Sequence, residues 1–127
     1  MAKKVYLTKE TILSANDVEI KEVEVPEWGG VVCVRGMTAR ERQRYEESLQ
    51  GKKGQINTRN ALEKLVVLCI VDKDGNRLFT NDDIAALSKK SAKALMRVAT
   101  VATELSGLTK EDMEEMVENF DETTLSD

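Results

Sequence analysis

Residues 24–42, EVPEWGGVVCVRGMTARER, decide how this chain reads. Its one proline and one tryptophan, with Glu27 between them, lie between two apolar runs, and a Gly-Gly pair follows. Upstream, VEIKEVEV (18–25) sets Val18, Ile20, Val23 and Val25 among charged residues, an alternation that points to a half-buried strand. The alternation is clean from Val23 to Val25 and slips at Lys21-Glu22, where a bulge or register shift is expected. Pro26 has no N–H to give to a ladder and marks the strand's end. VVCVRGM (31–37) is β-branched and apolar and reads as the returning strand. Between them, Pro26–Gly30 fits a hairpin loop in which glycine supplies any positive φ. A lone hairpin is marginal in water, so this one must pack on helices or pair with another chain.

The rest reads as helical. Before the hairpin, TKETILSAND (8–17) has a capping Thr8 and the stop Asn16-Asp17 around one short helix. After it, Thr38 and Glu41 form a T-x-x-E capping box that opens TARERQRYEESLQ (38–50), each side chain satisfying an orphan amide. GKKG (51–54) is a flexible break. NTRNALEKLVVLCIV (57–71), with Asn57 as cap, reads as the central buried helix, although VVLCIV (66–71) has the composition of a strand and periodicity does not separate the two. DKDGN (72–76) is a turn. Thr80 caps a further helix with acids in its first turn, favoured by the helix dipole. In SAKALMRVATVATELSG (91–107), Leu95, Val98, Ala102 and Leu105 fall on one face and Gly107 is the stop. TKEDMEEMVENF (109–120) carries Met113, Met116, Val117 and Phe120 at helical spacing. The expected fold is therefore α+β: a predominantly helical single domain over residues 1–120, with a short antiparallel hairpin or sheet near the N-terminus. An acidic flexible tail, 121–127, follows it.

At 127 residues the chain is about one domain long. It has no histidine, which removes Ser-His-Asp and Cys-His nucleophile systems and the usual zinc sets. No apolar run is long enough to cross a bilayer, and the basic start MAKK has no apolar stretch behind it, so a signal peptide and a membrane are not expected. Cys33 and Cys69 each sit in an apolar run and read as buried, reduced thiols; a disulfide between them would need an oxidising compartment. The net charge is −4, but unevenly spread. Between Arg35 and Arg59 seven basic residues meet three acids, and between Lys110 and Asp127 eight acids meet one lysine. Such polarity suits partner recognition or self-association.

DKDGNRLFTNDD (72–83) invites a calcium reading, with Asp72, Asp74, Asn76 and Asp83 at loop positions 1, 3, 5 and 12. Position 6 needs glycine and carries Arg77, and Asp83 is short for bidentate reach, so a metal site is rejected in favour of a turn. Gly29-Gly30 lies in no phosphate-loop pattern. Arg40, Arg42 and Arg44 invite nucleic-acid binding together with Lys52-Lys53. Interleaved acids, an Arg42–Glu46 pair at i,i+4 and few aromatics argue instead for a solvated or protein-binding face. Trp28 reads as a hairpin-tip anchor folded onto the core, the alternative being an exposed hot spot. Met96, Met113 and Met116 serve as core filling or as an adaptable partner surface. What remains is a small acidic binding module without a catalytic constellation, metal or cofactor.

Three stretches taken together resemble a known family: VEVPEWGGVVCVRGMTARERQRYEESL, VVLCIVDKDGNRLFTNDDIAAL and LSGLTKEDMEEM. They are similar to the tail assembly chaperones of long-tailed phages and prophages, in which V-x-V-P-E-W-G-G, T-x-x-E-R, D-x-D-G-x-x-L-F-T and L-S-G-L recur in this order. The resemblance covers residues 8 to 120. It implies a non-enzymatic assembly factor in the host cytoplasm, absent from the finished virion. Such a factor binds the aggregation-prone, helical tape measure protein before the tail tube polymerises around it. It implies further that a translational frameshift near the gene's end makes a longer form that recruits tail tube subunits, the present sequence being the short form. Arg40, Arg44, Met96, Met113, Met116 and Phe120 are then the expected partner-binding residues, and the hairpin edge is expected to pair between subunits into a homo-oligomer. A small nucleic-acid-binding phage regulator using the basic 35–59 region is the alternative from a different class. A head–tail connector component is a third.

Overall fold

The computed structural model describes residues 4–50 and 59–108. Helix α1 (Lys9–Ser14) is followed by strand β1 (Ile20–Val25), a 3-10 turn (Pro26–Trp28) and strand β2 (Gly30–Arg35). Helix α2 (Ala39–Ser48), helix α3 (Ala61–Cys69) and strand β3 (Ile70–Val71) come next. A second 3-10 turn (Asn81–Asp83), α4 (Ile84–Leu87) and α5 (Ala92–Leu105) complete the described chain. The three strands form an antiparallel sheet in the order β1-β2-β3. The α+β class expected from the sequence is the one observed.

The hairpin closes where proline and glycine place it. Pro26 starts the 3-10 turn, and Gly29 follows at φ +72, a left-handed conformation that disfavours a side chain. The expected bulge at Lys21-Glu22 is absent: Lys21 pairs with Val34 and Glu22 with Cys33 in one unbroken register. Lys21 shares the face of Val23 and Val25, yet it stays exposed. A charged residue therefore keeps the strand's parity without an extra residue being inserted.

The apolar run VVLCIV is both things that its composition allows. Val66–Cys69 close α3 and Ile70–Val71 continue directly as β3, pairing with Val34 and Cys33. The sheet is thus more than an N-terminal hairpin, because its third strand comes from the middle of the chain. Helix α3 begins at Ala61 after Asn60, which sits at φ +60 and makes no side-chain cap. The expected cap Asn57 lies outside the described residues, as do GKKG, the helix expected over 109–120 and the tail 121–127.

Helix α5 packs against β1, β2 and α3 and builds the core between sheet and helices. Leu95, Val98, Ala99 and Ala102 are buried on its inner face, against Val25 and Val34 from the sheet and Leu65, Val66 and Val67 from α3. Each such Leu or Val contributes about 1.5–3 kcal/mol on burial. Gly107, at φ +74, ends the helix as expected. Gly36 is a contact point rather than a hinge. A Cβ there would meet the Leu105 carbonyl oxygen at 2.6 Å, so only glycine lets the end of β2 approach the end of α5. Beside it, the Met37 N–H donates to Ser106 Oγ at 2.8 Å.

Candidate functional site

Three capping boxes start helical segments: Thr8 with Thr11, Thr38 with Glu41, and Thr80 with Asp83. The middle one does more than cap. Glu41 Oε1 accepts from the Thr38 N–H at 2.9 Å, while Oε2 accepts from Arg35 at 2.6 Å and from Arg77 at 2.7 Å. One carboxylate thereby joins the end of β2, the start of α2 and the segment after the Asp72 turn. Burial alone would raise the Glu41 pKa, but the Thr38 amide and the two guanidinium groups outweigh it and hold it below the ordinary carboxylate value. Tyr45, a turn further along α2, donates its hydroxyl to the Ala61 carbonyl at 3.0 Å and fixes α2 to the start of α3.

The DKDGN stretch is a turn. Asp72 Oδ1 accepts from the amides of Asp74 at 2.8 Å and Asn76 at 3.0 Å, and Gly75 takes φ +87. Among the described residues, no cluster of three or more His, Cys, Asp or Glu is placed to hold a metal ion. Both cysteines are free thiols. Cys69 is buried, as expected, and burial pushes its thiol up to about 12, far from the thiolate that a nucleophile requires. Cys33 is only half-buried, on the face of β2 that also carries the exposed Val31. Among the described residues, no helix is long and apolar enough to cross a membrane.

The sequence profile of the phage tail assembly chaperones matches residues 8–119. The chain belongs to that family. A search of curated proteins gives no match. Among solved structures, that of the bacteriophage HK97 tail assembly chaperone is similar, with a TM-score of 0.57 at 21% sequence identity, over 76% of this chain and 90% of that one. At that identity the likeness speaks for a shared fold.

On this tail assembly chaperone the expected partner-binding residues scatter. Arg40 and Arg44 are exposed on the outer face of α2. Met96 lies on α5 and is 45% exposed, away from the buried stripe of that helix. Met113, Met116 and Phe120 lie outside the described residues. Trp28 sits in the turn between β1 and β2, half-buried against the core cluster. Beside it, both carboxylate oxygens of Glu27 accept from Arg97 Nε, at 3.0 and 3.1 Å, and tie the hairpin tip to α5. Arg42 pairs with Glu46 at 3.1 Å, the i,i+4 contact expected from spacing.

Two apolar surfaces of the chaperone escaped the sequence reading. The first is the arm before β1. Val5, Tyr6, Leu7, Ile12 and Leu13 are all more than half exposed, and no residue of α1 is buried. The second is a shallow cavity of about 350 Å³ on the sheet face away from α5, lined by Val31, Cys33, Val71 and Leu78 with Glu22 and Lys73. Val31 and Leu78 are each more than half exposed there. The arm had a readable signal in VYLTKETIL (5–13), whose apolar residues have no partner in the local pattern. The cavity had none, since it depends on Leu78, whose amide bonds the Ile70 carbonyl of β3, lining one cavity with Val31 and Cys33 of β2.

Proposed function

We propose that this chaperone holds apolar helical stretches of the tape measure protein in solution until the tail tube forms around them. Family membership supports the reading, and one structural observation carries it. The arm displays five large apolar side chains, whereas most other apolar residues among those described build a core. Exposed large apolar side chains grouped in one segment mark a site of protein contact, and an amphipathic helix is a natural occupant. Many copies coat one client, self-associating through β1, the strand at the sheet's edge, whose outer backbone groups have no partner strand among the described residues. The chain acts without catalysis, in the host cytoplasm, and leaves before the virion is complete. A frameshifted longer form brings tail tube subunits to the client.

The test is co-expression with the tape measure protein encoded beside it, scoring soluble client and co-purification. Wild-type chain is expected to rescue solubility and to co-elute. Tyr6→Asp/Leu13→Asp, which alters no buried residue, is expected to lose most of the rescue. Full rescue by that variant would remove the arm from the client interface. Met113→Asp/Met116→Asp tests the expected methionine surface in the same assay. The nucleic-acid alternative predicts retention on DNA or RNA that falls steeply as salt rises.

A further inference from the structure

Arg40 and Arg44 stand one turn apart on α2, both exposed. Other arginines nearby are engaged: Arg35 and Arg77 on Glu41, Arg42 on Glu46, and Arg97 on Glu27. Among the described residues, neither Arg40 nor Arg44 has an ion-pair partner. Close by, the described chain ends. Ser106 takes the Met37 amide at 2.8 Å, and Gly36 lies directly against Leu105. Thr38, the cap of α2, follows at once. The described chain therefore ends close to the first turn of α2, the turn that carries Arg40, and residues 109–127 follow in sequence.

That segment is the most acidic part of the sequence, with eight acids against one lysine between Lys110 and Asp127. Glu111, Glu115 and Glu118 recur at i, i+4 and i+7, the rhythm that lines charges on one helical face. Arg40 and Arg44 have the same i,i+4 rhythm. A segment of this length spans about 60 Å when extended, so reach is no obstacle. Starting next to its target, it also has an effective concentration in the millimolar range.

We propose that the acidic segment 110–127 docks in cis on the Arg40–Arg44 face of α2. The face is then covered by the chain's own carboxylates, and an acidic partner must displace them to use it. The positive end of the α2 dipole adds to the attraction in the first turn. The docking stands independently of which client the chaperone holds.

Backbone amide spectra of the full-length chain test this, each variant being read on the side it does not alter. Glu111→Lys/Glu115→Lys/Glu118→Lys is expected to shift the amides of residues 39–45, and Arg40→Glu/Arg44→Glu those of residues 110–118. Combining the two sets is expected to restore both groups toward wild type. In the unsubstituted protein, raising salt to about 1 M, where the Debye length is about 3 Å, is expected to move both groups together toward their undocked positions. Amides of Leu95 and Val98 report that the core is intact throughout. Unmoved amides at 39–45 in the acid-reversed variant, with that core intact, overturn the proposal. Shifts that grow with protein concentration overturn it too, because they assign the acids to a neighbouring copy. Insensitivity of both groups to salt in the unsubstituted protein does the same without any substitution.

Discussion

Helices α1 and α2 start alike and end differently. Each opens with a threonine capping box, Thr8 with Thr11 and Thr38 with Glu41. Helix α2 buries Glu41 and Tyr45, whereas α1 buries nothing and leaves Ile12 and Leu13 in solvent. Local hydrogen bonding is therefore enough to set where a helix begins. It says nothing about whether the helix has anything to pack on. Among the described residues, the body buries most of its large apolar side chains, with Ile20, Val31, Leu78 and Met96 as exceptions, and the arm's partner is proposed to be another molecule.

The contrast can be broken most forcefully from the inside. Leu95 is 2% exposed, and Leu95→Ala is expected to cost about 3 kcal/mol by the transfer and cavity terms together. Leu13, which is 75% exposed, is expected to tolerate the same change within about 0.5 kcal/mol. Denaturant midpoints of the two variants measure both. Equal losses would mean that the arm packs on the body after all.

Next in size is the Glu41 node. Glu41→Ala leaves two guanidinium groups facing each other and is expected to cost about 2–3 kcal/mol. That is below the 3–5 kcal/mol of a fully buried pair, because the Arg77 side chain is 42% exposed. Since the Glu41 pKa is lowered on folding, its contribution is complete above the ordinary glutamate value of about 4.3 and is lost as pH falls through the folded value. Glu41→Gln should accordingly flatten the stability–pH profile at the acid end and leave its slope near neutrality unchanged. Gly36→Ala, which places a methyl group 2.6 Å from a backbone carbonyl oxygen, is expected to cost about 1–3 kcal/mol by overpacking. It should also loosen the Met37–Ser106 contact, visible as faster amide exchange at Met37.

The smallest effect sharpens the comparison most. Thr38→Ala and Thr8→Ala remove equivalent caps. The first is expected to lower global stability by about 1 kcal/mol. The second should leave the unfolding midpoint in place and reduce only the helical signal of the arm, measured by chemical shifts at residues 9–14. A global loss from Thr8→Ala would show that α1 is coupled to the body.

Much of the fold could be read from residues that carry their own instructions. Pro26, Gly29 and Gly30 announce the hairpin, Thr38 and Glu41 announce α2, and the Leu95–Val98–Ala102 stripe announces the buried face of α5. These signals are local, because a missing N–H, a positive φ or a capping side chain acts within four residues. The order of VPEWGG, TARER, DKDGNRLFT and LSGL likewise pointed to the family. The surfaces were less legible. Arg40, Arg44 and Met96 could be named as candidates, but their separation over different elements could not be seen. The exposed arm and the Val31–Leu78 cavity were missed because exposure is a property of what lies opposite.

By itself, then, the sequence determined the hairpin turn, the capped starts of α1 and α2, the absence of histidine chemistry and the polar division of charge. The tertiary structure alone decided that VVLCIV divides into helix and strand, since both states suit that composition and only the free edge of β2 selects Ile70–Val71 for the sheet. It alone decided that Glu41 serves two arginines, one of them Arg77, far along the chain. It alone decided that five apolar residues of the arm stay outside. Burial and ion pairing are sums over neighbours that the chain brings together from a distance, and no window of sequence contains those neighbours.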